Sequence, residues 1–116
     1  MMRRGHIIAV ALVQMMMAMP AAATSIAEIY RCERTVEVPV IYVSGETGVG
    51  VVVLLVEGEM VNLETTSAAS GARYAGSPDL SGYVWWTKGD AALLTWFDAS
   101  SGQETPVYSE CTKVER

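Results

Sequence analysis

The chain has 116 residues, which is enough for one domain, with 8 basic and 13 acidic residues and a formal net charge of −5. An acidic surface repels nucleic acid and favours cationic partners, although many exported proteins are acidic for solubility alone. The single histidine, His6, lies in the N-terminal segment described next. The rest of the chain therefore excludes histidine-dependent triads and offers no obvious transition-metal or cofactor site.

Residues 1–23 have the pattern of a secretory signal peptide. Two arginines precede an apolar run over residues 7–19, and Pro20 and three alanines follow it. The run is shorter than the ~20 apolar residues that a membrane-spanning helix needs, so no membrane span is predicted. We predict cleavage after Ala23, with Ala27 as an alternative, and a periplasmic domain of residues 24–116. Loss of the two arginines leaves 6 basic and 13 acidic residues, a net charge of −7.

Cys32 and Cys111 are the only two cysteines, and they lie near the two ends of this domain. Bulky and charged residues precede Cys32, which disfavours the lipid attachment of a lipoprotein. In an oxidising compartment the pair favours one disulfide, with two free thiols as the alternative. In the chain-entropy model, closing a loop of about 80 residues stabilises the fold by ~4 kcal/mol.

The domain consists of short apolar segments separated by turn residues, without helical periodicity. The run at 49–56, VGVVVLLV, predicts a buried strand, and Pro39 predicts an edge position or a bulge. Residues 60–65 should return as a hairpin with Val61 and Leu63 facing the core. The spacing predicts an antiparallel barrel or sandwich with about eight strands, at residues 29–32, 35–42, 49–56, 60–65, 72–74, 83–87, 91–97 and 105–111.

Two glycine-marked polar turns stand beside aromatic residues in the second half of the chain, and they read Ser70-Gly71-Ala72-Arg73-Tyr74 and Trp86-Thr87-Lys88-Gly89. A Ser–Lys dyad from Ser70 and Lys88 is conceivable, but the neighbouring glycines indicate turn tips open to water. The carboxylates are too scattered to predict a catalytic pair. We therefore expect a binding protein and not an enzyme.

The pattern Ser-Gly-x-x-Tyr followed by Trp-x-Lys-Gly resembles the two loop motifs of the family of membrane-bound and periplasmic inhibitors of C-type lysozyme. The resemblance covers most of residues 29–111, and it departs from the membrane-bound branch in lacking a lipid-attachment cysteine. It implies an all-β fold, a small eight-stranded antiparallel β-barrel with one disulfide, and a basic C-type lysozyme as partner. It also implies that two loops enter the enzyme's cleft, with lysozyme-binding residues Ser70, Gly71, Arg73, Tyr74, Lys88 and Gly89.

By the same resemblance, Ser70 and Lys88 would meet the catalytic carboxylates of the lysozyme. The alternatives are a local turn hydrogen bond for Ser70 and a solvated charge for Lys88. Trp85 and Trp86 must point to opposite faces of their strand, so one of them lies outside or is covered by a loop. A small periplasmic β-barrel that binds another envelope ligand is the second functional hypothesis.

Overall fold

The computed structural model describes residues 24–45 and 50–115, so the predicted signal peptide and its cleavage site lie outside the described residues. Eight antiparallel strands form a closed barrel in chain order, and β1 pairs with β8. This confirms the predicted all-β barrel. The strands are β1 (Thr24–Arg31), β2 (Glu37–Ser44), β3 (Gly50–Val56), β4 (Glu59–Thr66), β5 (Ala72–Ala75), β6 (Gly82–Lys88), β7 (Ala91–Asp98) and β8 (Gln103–Lys113).

The interior of the barrel is built around Trp85, which is fully buried. Its ring lies edge-on to Tyr30 at 5.0 Å between centroids, and its Nε1–H donates to the Tyr42 hydroxyl at 3.0 Å. The Tyr30 and Tyr42 hydroxyl oxygens are 2.8 Å apart, and burial raises the pKa of Tyr42. Buried aliphatic side chains fill the remaining space, among them Val38, Val40, Val52, Leu54, Leu63 and Leu94. Trp85 is therefore the inward member of the tryptophan pair.

The β3 strand forms where the apolar run predicts it, but it is buried on one face only. Val52, Leu54 and Val56 face the core, whereas Leu55 is 42% exposed on the outer face. The sequence predicts a buried strand, and this is correct for the inner face, whereas the outer face is half-buried at Val51 and Val53 and exposed at Leu55. In the β3–β4 hairpin, Leu63 is buried and Val61 packs against the core, as predicted.

Pro39 occupies an edge position without a bulge. The pairing of β2 with β1 continues through Pro39 opposite Ile29, and the pairing of β2 with β3 begins only at Val40. The missing N–H of proline is tolerated where a ladder ends. A short 3-10 turn, Glu33–Thr35, was not predicted, because Arg34 and Thr35 adopt φ values of 61° and 59° that side-chain-bearing residues rarely take.

Closure of the barrel depends on few backbone contacts. Strands β1 and β8 share only two residue pairs, Tyr30 with Lys113 and Arg31 with Thr112. The predicted disulfide between Cys32 and Cys111 lies beside this ladder, with 4.0 Å between the Cα atoms. Both cysteines are buried. The disulfide therefore links the two ends of the domain at its shortest seam.

The Glu33 carboxylate adds a second link across this seam. It accepts the N–H of Glu110 at 3.2 Å, and the N–H and hydroxyl of Ser109 at 3.0 and 2.8 Å. The Glu110 N–H first, and then the two Ser109 donors, lower the pKa of Glu33 from its ordinary 4.5 to about 2. All three donors favour the ionised form.

We expect this link to make the fold sensitive to acid. A carboxylate whose pKa is lowered on folding stabilises the folded state above its unfolded pKa, and that contribution is lost as pH falls from about 4.5 towards 2. Glu33→Gln should lower the thermal midpoint at neutral pH and flatten its dependence on pH across this window. Glu64→Gln, which removes an exposed carboxylate of β4, is the control for the loss of one charge. Parallel pH profiles for wild type and Glu33→Gln would contradict the assignment.

Candidate functional site

The two glycine-marked turns meet at one end of the barrel. Strands β4 and β6 run in the same direction, so the connections that follow them, residues 67–71 and the turn before Ala91, lie at the same end. The short strand β5 pairs with both β4 and β6 and holds the two connections side by side. The barrel topology thus brings together motifs that are about 15 residues apart in the chain.

Gly71 is the point at which the two loops touch. Its φ is 69°, and a Cβ built on it would overlap the carbonyl oxygen of Thr87 and lie 2.8 Å from Cγ of Lys88. A side chain is therefore excluded both by the backbone conformation and by the neighbouring backbone. Gly89, the glycine of the other motif, also has a positive φ of 56°, but the space around its Cβ position is open.

Trp86 connects the two loops through its indole ring. It projects from the outer face of β6, opposite to Trp85, and its Nε1–H donates to the carbonyl oxygen of Ser70 at 2.8 Å. The hydroxyl of Thr87 also donates to the Ala72 carbonyl at 3.4 Å. Because Trp86 is tied to the loop of residues 67–71 in this way, it is the tryptophan that a loop covers.

Two cations flank the ring of Trp86. The Lys88 ammonium lies 4.9 Å from the ring centroid, and the Arg73 guanidinium lies 5.6 Å from it. Cation–π contacts at exposed positions contribute about 0.5–1 kcal/mol each. The positions of both cations follow from strand geometry. Arg73 is directly opposite Trp86 on the neighbouring strand, and Lys88 is two residues after Trp86 on the same face of β6.

The cations differ in their ionic partners. Arg73 pairs with Glu104, three strands away on β8, so their side chains reach across the outer faces of β6 and β7. Lys113 pairs with Glu28 and Asp90. Lys88 is exposed and forms no ion pair within residues 24–45 and 50–115. Among the described residues at the loop tips, its ammonium is thus an exposed cation that an external carboxylate can reach.

The structure separates the six predicted binding residues into three groups. Ser70, Gly71, Lys88 and Gly89 are exposed at the tips of the loops. Arg73 lies on the outer face of β5, further from the loop tips, where it is paired with Glu104. Tyr74 turns inward, where its half-buried ring packs 5.8 Å from Tyr42, and burial raises its pKa. Tyr74 therefore anchors β5, the strand that follows the loop of residues 67–71, to the interior of the barrel.

Two residues of the site were not among the predicted binding residues. Trp86 could have been identified, because in Trp-x-Lys-Gly the tryptophan and the lysine fall on the same face of a strand. Glu104 carries no such signal, since it is 31 residues from Arg73 in the chain. In the parts of the chain that the structure covers, no cluster of three metal-ligating side chains occurs. Over the same residues, no helix is sufficiently long and apolar to cross the bilayer.

The contact at Gly71 can be tested with a pair of alanine variants. Gly89→Ala should cost only the left-handed backbone conformation, about 1–2 kcal/mol. Gly71→Ala carries the same conformational cost and must also displace the backbone of Thr87, so it should lower the thermal midpoint further. Thermal unfolding of the two variants measures the difference. Equal midpoints would show that the loops do not touch at Gly71.

Comparisons with known proteins agree with this architecture. The periplasmic inhibitor of C-type lysozyme PliC-St from Salmonella typhimurium is similar over 79% of this chain and 98% of its own, with 26% identity and a TM-score of 0.63. MliC of Pseudomonas aeruginosa, solved in complex with hen egg white lysozyme, is similar in fold over 80% of this chain and 85% of its own, with 22% identity and a TM-score of 0.60. No curated protein matches the sequence. The model of the MliC family, the membrane-bound lysozyme inhibitors of C-type lysozyme, matches residues 30–102, and the chain therefore belongs to that family.

Proposed function

We propose that this protein inhibits a C-type lysozyme by inserting its two adjoining loops into the active-site cleft. The observation that carries the proposal is the exposed Lys88 ammonium beside Ser70, on loops that Gly71 and Trp86 hold together. Membership of the inhibitor family and the likeness to the Salmonella inhibitor support the same partner.

The chemistry of a lysozyme cleft suits these two side chains. A lysozyme holds a glutamic acid and an ionised aspartate in its cleft, one as acid and one as carboxylate. The Lys88 ammonium can pair with a carboxylate there, and the Ser70 hydroxyl can donate a hydrogen bond to the second group. The Ser70 hydroxyl is exposed, and the bond to Trp86 uses the Ser70 carbonyl, which leaves the hydroxyl for the partner.

The supporting residues fix the loops before the partner arrives. The ring of Trp86 makes cation–π contacts with Arg73 and Lys88, and its N–H donates a hydrogen bond to the loop of residues 67–71. Arg73 is also held in an ion pair with Glu104. Loops that are already ordered lose less conformational entropy on binding. This arrangement occludes a cleft without any turnover, and we therefore assign no enzymatic activity.

The rest of the surface favours encounter with a basic enzyme. Residues 24–116 carry 6 basic and 13 acidic residues, a net charge of 6 − 13 = −7. Opposite net charges accelerate association, and screening by salt reduces the effect. In this view the net negative charge of the inhibitor accelerates association with the basic enzyme, and the Lys88 ammonium then pairs with a carboxylate in the cleft.

Loss of the Lys88 ammonium should abolish most of the inhibition. Removing one partner of a buried charge pair costs ~2–5 kcal/mol, so Lys88→Ala should raise the inhibition constant roughly thirty-fold to several thousand-fold. Ser70→Ala should cost less, about 1–2 kcal/mol, because a neutral donor is lost. Both variants should unfold at temperatures close to that of the wild type, since both side chains are exposed.

Lys113→Ala is the matched control, because this lysine is paired with Glu28 and Asp90 on the same protein. It should leave the inhibition constant within a few-fold of the wild type. Inhibition constants come from a turbidity assay with a C-type lysozyme, and thermal midpoints from the same preparations. Full inhibition by a folded Lys88→Ala variant would refute insertion of Lys88 into the cleft.

We also propose that the protein is exported to the periplasm and released from its signal peptide after Ala23, without a lipid. The N-terminal pattern and the absence of a lipid-attachment cysteine support this. The intact mass of periplasmic material should correspond to a chain that begins at Thr24. A chain that retains Met1, begins at Glu28, or carries a lipid would contradict the assignment.

A further inference from the structure

A cavity of about 620 Å³ opens in the wall of the barrel and extends from the β5–β6 connection as far as Thr66 and Arg73. One side is formed by the start of β4, residues 59–63, and the facing side by the β5–β6 connection, residues 76–81. That connection and the β3–β4 turn lie at the opposite end of the barrel from Ser70 and Lys88. The volume is within the range of about 300–1,000 Å³ that is typical of ligand pockets.

The cavity exists because β4 is longer than its neighbour β5. Strand β4 pairs with β3 from Glu59 to Glu64, but it pairs with β5 only from Glu64 to Thr66. Residues 59–63 therefore have a strand on one side and the cavity on the other. In an antiparallel sheet every second residue of such an edge directs its N–H and C=O outwards.

The connection opposite this edge forms the facing wall of the cavity and leaves the edge unpaired. Within the described residues, no backbone hydrogen bond joins residues 76–81 to β4. The connection is instead held by its own contacts, from the Leu80 N–H to the Ser77 carbonyl at 3.1 Å and from the Ala99 N–H to the Ser81 hydroxyl at 2.9 Å.

Exposed apolar side chains are concentrated around this space. Met60 is 76% exposed and Leu80 is 68% exposed, which makes them the most exposed of the large apolar residues that the structure describes. Both line the cavity, together with Trp96, which is 41% exposed and lies edge-on to Tyr83 at 5.0 Å. Clusters of this kind mark interaction sites, because leaving them in water is unfavourable.

The charges around the cavity are negative. Glu59 lines it, Glu57 is in the adjacent turn, and Asp79 is in the facing connection. Burial, followed by the charges of Glu57 and Glu59, raises the pKa of Tyr83. The one basic residue that lines the cavity, Arg73, is already paired with Glu104. The site is thus complementary to a cationic ligand.

We propose that this groove binds an extended basic peptide segment of a partner protein, which adds as a strand to the free edge of β4. Alternate side chains of the segment would enter the apolar cavity beside Met60 and Leu80, and the others would reach the carboxylates at the rim. Strand addition of this type combines backbone hydrogen bonds with pockets for every second side chain. A second copy of this chain fits less well, because it would bring the same carboxylates together.

The probe for this site is the peptide acetyl-Lys-Val-Lys-Val-Lys-Val-Lys-amide, added to the whole protein and followed by calorimetry and amide hydrogen exchange. The expected result is binding, with slower exchange at alternate amides of residues 59–63. A peptide with glutamate in place of lysine should not bind. Two further peptides carry N-methyl groups on the lysine or on the valine amides, and only one of the two sets faces β4. One methylated peptide should therefore lose binding while the other keeps it.

Substitutions test the location. Leu80→Asn should weaken binding of the lysine–valine peptide roughly ten-fold or more, because it removes an apolar anchor without adding a charge that would attract the lysines, and Met60→Asn provides a second variant at the opposite wall. Ile41→Asn is the matched control, because Ile41 is 43% exposed on the outer face of β2 and does not line the cavity. Lysozyme inhibition should be the same for all three variants, so this test is independent of the proposed inhibition.

Three results would overturn the proposal. The first is equal binding by the wild type and both cavity variants with intact thermal midpoints. The second is loss or retention of binding by both methylated peptides. The third is protection of residues 59–63 that grows with protein concentration in the absence of peptide, which would assign the edge to a second copy of the chain.

Discussion

The alternation of side chains along β6 couples the core of this protein to the two loops that contain Ser70 and Lys88. Trp85 points inward and connects β6 to Tyr30 and Tyr42 on the first two strands. Its neighbour Trp86 points outward and holds the carbonyl of Ser70. Because successive residues of a strand cannot share a face, the burial of one tryptophan fixes the position of the other. Order in the loops thus derives from packing in the barrel.

The barrel can support those loops only if it stays closed, and the ladder between β1 and β8 contributes only two residue pairs to closure. The disulfide at Cys32 and the hydrogen bonds of Glu33 both act at this seam, from adjacent positions in the chain. A disulfide reduces the entropy of the unfolded chain, whereas the carboxylate bonds stabilise the folded state directly. The two contributions respond to different conditions, one to reduction and the other to acid.

Local patterns in the sequence predict most of the fold. Turn residues separate eight apolar segments, and a closed barrel follows because eight short antiparallel strands can satisfy every edge by closure. The loop tips could also be predicted from the sequence, since glycine beside serine or lysine marks a turn. The extent of burial of β3 could not be predicted, because its outer face is as apolar in sequence as its inner face. The apolar composition of β3 does not show whether another segment of the chain packs against its outer face.

Features that depend on distant residues could not be read in this way. The ion pair of Arg73 and Glu104 forms because β5 and β8 lie on either side of β6 and β7, and neither residue has a local signal. Arg34 and Thr35 likewise adopt a left-handed conformation directly after Glu33, which is bonded to the distant strand β8. The cavity follows from the unequal lengths of β4 and β5, which is a property of the pair and not of either strand.

The distribution of charged residues differs between the two ends of the barrel. At one end, Lys88 projects without an ion pair among the described residues, whereas the exposed carboxylate of Asp90 in the same turn is paired with Lys113, so the unpaired charge at this end favours a carboxylate. At the other end, Glu57, Glu59 and Asp79 surround apolar side chains, so that end favours cations. Interactions of surface charges are screened over about 8 Å at physiological salt, whereas the barrel separates the two ends by the length of its strands. The two proposed interactions would therefore have little electrostatic effect on each other, and together they would give a small domain two binding surfaces of opposite preference.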